Sequence, residues 1–275
     1  MVPKLKELTL KKLSGRETGG FQQFTIRALR DFPDKYVSVM YALPAEPCKK
    51  LLKSLREKTG ARITFSHALN KMIALAIAES PAHNQVLLDS RRYQLEGIHI
   101  SNILLLPGEE KAMTNLILDN PHRKSLEQIA RELEVLRAEK LKQYELKQQW
   151  FSAGAMLLMN FFYLSRLNRL ISEKMFFKFT FQRGLFSNIT LSNQVYGGRS
   201  GTFTVVRSIT PVVSGVVIHT SGTEQRMCME NDTVISREIL PLTVTYDHRV
   251  LHGIHAHHFG LSLERIASHP DKYLI

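Results

Sequence analysis

The sequence predicts an α/β fold, and three observations carry that prediction. At 240–265, LPLTVTYDHRVLHGIHAHHFGLSLER, apolar Leu242, Val244 and Tyr246 alternate with Thr243, Thr245 and Asp247. That period of two marks a strand; beyond Gly253 the spacing of Ile254, Phe259, Leu263 and Ile266 approaches that of a helix. At 63–78, ITFSHALNKMIALAIA is apolar all round, the pattern of a buried helix. At 98–118, IHISNILLL and AMTNLIL read as two strands joined through PGEE, and an amphipathic helix follows them.

The remaining elements follow in order. The first thirty residues are basic and broken by Ser-Gly and Gly-Gly, so 1–35 reads as an arm ahead of one domain spanning 36–275. YVSVMYAL at 36–43 is a strand bounded by Asp34 and Pro44. At 47–58, Leu51, Leu52 and Leu55 among lysines make an amphipathic helix that ends at Gly60. Ser66 is the expected cap of the buried helix, and Pro81 its stop. Ser125 and Gln128 form a capping box for the helix carrying Ile129, Leu133 and Leu136. Pro241 is expected to break whatever precedes the last strand.

The 275 residues suffice for an ordinary core, and 44% hydrophobic with 23% charged residues is a soluble globular composition. Two cysteines, Cys48 and Cys228, give neither a disulfide framework nor a CxxC pair, which predicts a reducing, cytoplasmic setting. The N-terminal MVPKLKELTLKKL lacks the apolar core of a signal peptide. A formal charge of +12 suits nucleic acid, an anionic membrane or an anionic metabolite. Charge alone does not choose among them.

The chemistry concentrates where the last strand turns into its helix. His248 stands at a strand end, held rigidly yet able to face a cleft, and an unperturbed imidazole, with a pKa of about 6.5, takes a proton near neutrality. The segment YDHRVLHG resembles the D-H-R-x-x-D-G motif of dihydrolipoamide acyltransferases, the catalytic cores of 2-oxoacid dehydrogenase complexes. It also resembles the H-H-x-x-x-D-G of chloramphenicol acetyltransferases. His248 matches the family's catalytic histidine, with Asp247, Arg249 and Gly253 as supports of its loop. NITLSNQVYGG resembles F-T-I-S-N-x-G, and places Ser192 as the donor to the oxyanion of the tetrahedral intermediate. FTVVRSITPVVSGVVIH resembles the stretch that follows, and SPAHNQVLLD matches Pro-x-x-Asn at Asn84.

The resemblance implies a chloramphenicol acetyltransferase-like two-layer sandwich of mixed sheet and helices, assembled as a trimer with sites between subunits. Ser192 and His248 would then come from different chains. It also implies acyl transfer between coenzyme A and a thiol or hydroxyl acceptor, with His248 as general base. A lipoyl group or carrier protein, if used, would be supplied by another protein, because no lipoyl domain or Ala/Pro-rich linker is evident. Nucleic acid is not implied.

Three features depart from the family. His252 stands where an aspartate is usual, and a neutral imidazole cannot make that residue's ion pair with arginine. His252 therefore joins His248 and Ser192 as a candidate catalytic residue, as a loop prop or a second proton carrier, and an inactive trimeric scaffold is the alternative function. His248, His252, His255, His257 and His258 have spacings that suit a metal, but no cysteine or carboxylate completes a set, so none is expected. Finally, 147–187 is an apolar insertion rich in phenylalanine. Its longest apolar-rich run, about 15 residues in QQWFSAGAMLLMNFFYLSRLNRL, is too short and too broken by Asn160, Arg166 and Arg169 for a membrane span of about 20 residues. It reads as a helical cover over the core or as a peripheral membrane patch at 150–186.

Overall fold

The computed structural model describes residues 10–13, 35–105, 113–147, 173–182, 187–193 and 215–275. Most of the arm and most of the insertion lie outside these. In chain order the first elements are β1 (Leu10–Lys12), β2 (Tyr36–Pro44), α1 (Glu46–Thr59) and α2 (Phe65–Glu79). A single 3-10 turn at Pro81–Asn84 leads to β3 (Gln85–Leu88), β4 (Arg91–Leu95), β5 (His99–Leu105) and β6 (Met113–Asp119). Then come α3 (Leu126–Lys147), α4 (Glu173–Gln182), β7 (Ile189–Asn193) and β8 (Val216–Thr220). The chain closes with β9 (Glu224–Glu230), β10 (Thr233–Asp247), α5 (Gly253–Ser268) and α6 (Pro270–Tyr273).

The main sheet is mixed, in the order β2-β10-β8-β7-β5-β6, with β9 also on β10. The β5–β7 and β7–β8 pairs are parallel and the others antiparallel. One sheet face is apolar: Ile189 and Leu191, Val216 and Ile218, Leu242, Val244 and Tyr246 join α1, α2 and α5 in one core. This alternation makes the two layers, because a strand sends successive side chains to opposite faces. The opposite face is polar, and carries Thr190, Ser192, His219, Thr243 and Thr245 in register across β7, β8 and β10.

Several local expectations hold. Gly60 closes α1 in the left-handed region at φ 66°, where a Cβ would be strained, and its N–H reaches the Arg56 carbonyl at 2.9 Å. Ser125 and Gln128 exchange the capping-box bonds at 2.8 and 3.2 Å. Others need correction. Thr64, not Ser66, caps α2, and its N–H donates to Nδ1 of His67 at 3.1 Å. Ile254 is 56% exposed and takes no part in the buried stripe of α5.

Pro241 does not break the strand either; β10 runs through it. On one side β10 pairs with β9 as far as Ile239 and with β8 from Leu242, so Pro241 falls in the gap between the two partners. A residue without an N–H is tolerated where no ladder bond is required of it. The β3–β4 hairpin was not legible as such, because its turn is Asp89-Ser90, at φ 51° and 59°, without a glycine.

A second, smaller core lies under this hairpin. Val86, Leu88, Tyr93 and Leu95 pack with Ile117 and with Phe177 and Phe181 of α4. The described part of the insertion thus buries two phenylalanines, Phe177 and Phe181. Leu10–Lys12, inside the segment read as an arm, adds a third strand to this hairpin. Among the described residues no helix is long and apolar enough to cross a membrane.

Candidate active site

The loop after β10 is built from its backbone outward. The Asp247 carbonyl accepts the N–H groups of Val250 and Leu251 at 2.9 and 3.0 Å, which folds the chain back at the strand end. The side chain of Asp247 is buried and receives Arg249 twice over: the backbone N–H at 2.9 Å, and the guanidinium through Nε at 2.9 Å and Nη2 at 2.6 Å. A buried carboxylate with a forked guanidinium and a backbone donor is satisfied in place. The backbone N–H of His248 donates to the Lys35 carbonyl at 2.8 Å, so the segment before β2 also holds the loop.

The imidazole of His248 is oriented from within. Its Nδ1 lies 2.9 Å from the Leu251 carbonyl. A carbonyl oxygen can only accept, so Nδ1 carries the proton and Nε2 presents a lone pair. A half-buried imidazole held in this tautomer has the form a general base requires. Asp247 and Arg249, which flank His248 in the sequence, bond each other on this loop. Gly253 opens α5 with no atom within 4 Å of where its Cβ would sit, so nothing in one chain sterically demands a glycine there.

Arg92 was not foreseen. It comes from β4, is 4% exposed, and donates through Nη2 to the Val250 carbonyl at 3.0 Å. The second core therefore grips the His248 loop directly. The sequence offers only the adjacent Arg91-Arg92 as a clue, and a basic pair is ordinarily solvated.

His252 caps α5. Its backbone N–H donates to Nδ1 of His255 at 3.0 Å, and its ring lies 5.4 Å from that of His248. Burial, then the neighbouring His248, His255 and Arg92, hold its pKa below the ordinary imidazole value. His255 is lowered for the same kind of reason, by burial and then by Arg92 and His258. The place of the usual aspartate is thus taken by a ring whose charged form is disfavoured, and Arg92 bonds the same loop at the Val250 carbonyl. Among the described residues no group of three histidine, cysteine or carboxylate side chains could hold a metal ion.

Ser192 is positioned from other elements. Asn84 donates to the Leu95 and Gly97 carbonyls at 3.0 and 2.7 Å and accepts from Asn188 at 3.0 Å, just before β7. The Asn188 carbonyl takes the N–H of Val216 at 2.8 Å. A Cβ on Gly215 would come within 2.3 Å of that same oxygen, so only glycine lets β8 lie this close to β7. Ser192, 4% exposed, then lies in register with His219 and Thr243 on the polar face.

Ser192 and His248 are not brought together within one chain. His248 lies five residues beyond Thr243 along β10, about 17 Å at about 3.4 Å per residue, and two strands across from Ser192. Neither side chain spans that distance. A cleft of about 430 Å³, lined by Lys49, Leu52, Lys53, Arg56, Ile63, Thr64 and Phe65, contains none of these residues.

Comparison with known proteins bears on the fold and on the C-terminal part of the chain. Residues 186–275 match the family model for 2-oxoacid dehydrogenases acyltransferase (catalytic domain). The structure resembles a probable dihydrolipoamide acetyltransferase from Listeria monocytogenes, with TM-score 0.62 and 15% identity over 94% of this chain and 93% of that one. It resembles the dihydrolipoamide acetyltransferase of Azotobacter vinelandii with TM-score 0.62 and 19% identity, over 91% and 88%. A chloramphenicol acetyltransferase matches with TM-score 0.54 and 12% identity, over 94% and 100%. No curated protein matches the sequence. The chain has the fold of the chloramphenicol acetyltransferase-like acyltransferase cores, and its residues 186–275 carry the sequence pattern of the 2-oxoacid dehydrogenase acyltransferase catalytic domain.

Proposed function

We propose that the protein is an acyltransferase that moves an acyl group between coenzyme A and a thiol or hydroxyl acceptor. The observation that carries this reading is the fixed tautomer of His248, whose Nδ1 is committed to the Leu251 carbonyl. Nε2 is left to take a proton from the incoming thiol, whose ordinary pKa of about 8.5 keeps it mostly protonated at neutral pH. As that sulfur attacks the acyl carbonyl, the carbonyl electron pair moves onto oxygen, and the Ser192 hydroxyl donates to the resulting oxyanion. Collapse expels the departing thiolate, which recovers the proton from Nε2. No bond to the enzyme forms.

The separation of Ser192 from His248 supports a site shared between copies of the chain, and we take the assembly as a trimer. In the Azotobacter vinelandii enzyme a serine, a histidine and an asparagine have been examined for their catalytic roles, at positions 52 residues before the histidine and four after it. Here Ser192 lies 56 residues before His248, and His252 four after it. That spacing supports His252 as a neutral prop of the loop. Acyl-CoA is then the substrate, and a lipoyl or carrier thiol on another protein is the acceptor most consistent with the matched family.

The test is turnover of acetyl-CoA with dihydrolipoamide, beside calorimetry with coenzyme A. His248→Ala should lower turnover by about 10²- to 10⁴-fold with the fold intact by circular dichroism. A wild-type protein that neither binds coenzyme A nor turns over acetyl-CoA would instead be an inactive scaffold.

A further inference from the structure

We propose that His219 is a second hydrogen-bond donor on the oxyanion side of the site, acting beside Ser192 on the same acyl carbonyl. This rests on the acyltransferase reading above and adds a residue to it.

Both ring nitrogens of His219 are buried with no hydrogen-bond partner among the described residues, and the residue is 2% exposed. Leaving buried polar atoms unpaired is costly, so native structures rarely do it without a reason. The position supplies one. His219 on β8 is paired in register with Ser192 on β7, and in a parallel pair such residues project from the same face. Adjacent strands lie about 4.8 Å apart, close enough for one oxygen to lie within hydrogen-bonding reach of both side chains. Ser101, paired with Thr190 on the other side of β7, also has a buried hydroxyl without a partner among the described residues. The unsatisfied polar atoms of this face therefore gather around Ser192.

The chemistry fits the place. A single serine hydroxyl supplies one donor, whereas oxyanion sites gain from more than one preorganised donor. Burial lowers the pKa of His219, so near neutrality it is an uncharged ring with one N–H to give. The donor is thus available without the desolvation cost of a buried cation. A histidine kept only for packing would behave differently on substitution, because leucine in its place would then lose contacts. If the nitrogens are truly idle until substrate arrives, leucine removes an unpaired polar group and stabilises the protein.

The test uses the full chain, with acetyl-CoA and dihydrolipoamide as substrates and thermal unfolding as a readout independent of them. His219→Leu should lower kcat by about 10- to 100-fold, leave KM within about twofold and raise Tm. His219→Gln, which keeps an N–H donor, should recover most of kcat. The Ser192→Ala/His219→Leu double variant should be slower than either single one. An unchanged kcat for His219→Leu in an active protein, or a lowered Tm for that variant, would overturn the role of His219 while leaving the acyltransferase reading standing. A wild-type protein without coenzyme A binding or turnover would overturn the acyltransferase reading, and this one with it.

Discussion

At the scale of single residues, the His248 loop is fixed by contacts of two kinds. Some are local: Asp247 and Arg249, read from YDHRVLHG only as supports of the loop, pair with each other, and His248 bonds Leu251 three residues on, which the motif did not foretell. The bond from Arg92 to the Val250 carbonyl spans 158 residues of sequence and could not be read from any local pattern. Arg92→Met keeps the side-chain length but removes the donor. The loop should then lose its anchor and kcat fall by about tenfold, with coenzyme A affinity little changed; an unaltered kcat would show that the local bonds suffice. His252→Asn is the complementary change. If His252 only props the loop, turnover should stay within about threefold of wild type and the pH–rate profile should keep one ionisation near neutrality. A loss as deep as that of His248→Ala would make His252 a proton carrier.

At the scale of elements, period and punctuation revealed the strand at 36–43, the helices α1 and α2, the capping box of α3 and the strand–turn–helix at the C-terminus. What they missed was decided by partners. Pro241 reads as a breaker only until β10 is seen changing neighbours at that point. The register that sets His219 beside Ser192 depends on a parallel pairing between segments with more than twenty residues between them, and no periodicity encodes it. The packing of α5 on β2 offers a direct check. A Cβ on Gly260 would come within 2.3 Å of Cε1 of Tyr41, whose hydroxyl donates to the Ala256 carbonyl at 2.7 Å. Gly260→Ala should push Tyr41 off that bond and cost about 1–3 kcal/mol, read as a lower urea midpoint. A midpoint equal to or above that of wild type would mean that α5 shifts freely on the sheet.

At the scale of the whole molecule, wholly and partly buried histidines tie stability to pH. His67, His83, His122, His219, His252 and His255 all have pKa values below the ordinary imidazole range, with burial the leading cause. The unfolded chain therefore takes up protons near pH 6.5 that the folded chain resists, and stability present above that pH is lost as pH falls. His83 is the strongest case. Burial holds it at about 4, with its ring stacked on Phe259 at 4.5 Å, so its share, about 3 kcal/mol, is lost between pH 6.5 and 4. His83→Gln should flatten the fall of the urea midpoint across that window, and an unchanged slope would remove His83 from the account. The distance along β10 between the His248 loop and the row containing Ser192 has a genetic consequence. If each site draws its serine from one copy and its histidine from the next, a gene damaged at codon 192 and a gene damaged at codon 248 can rescue each other. Neither product works alone, yet a mixed assembly pairs the sound histidine of one with the sound serine of the other and regains part of the wild-type activity.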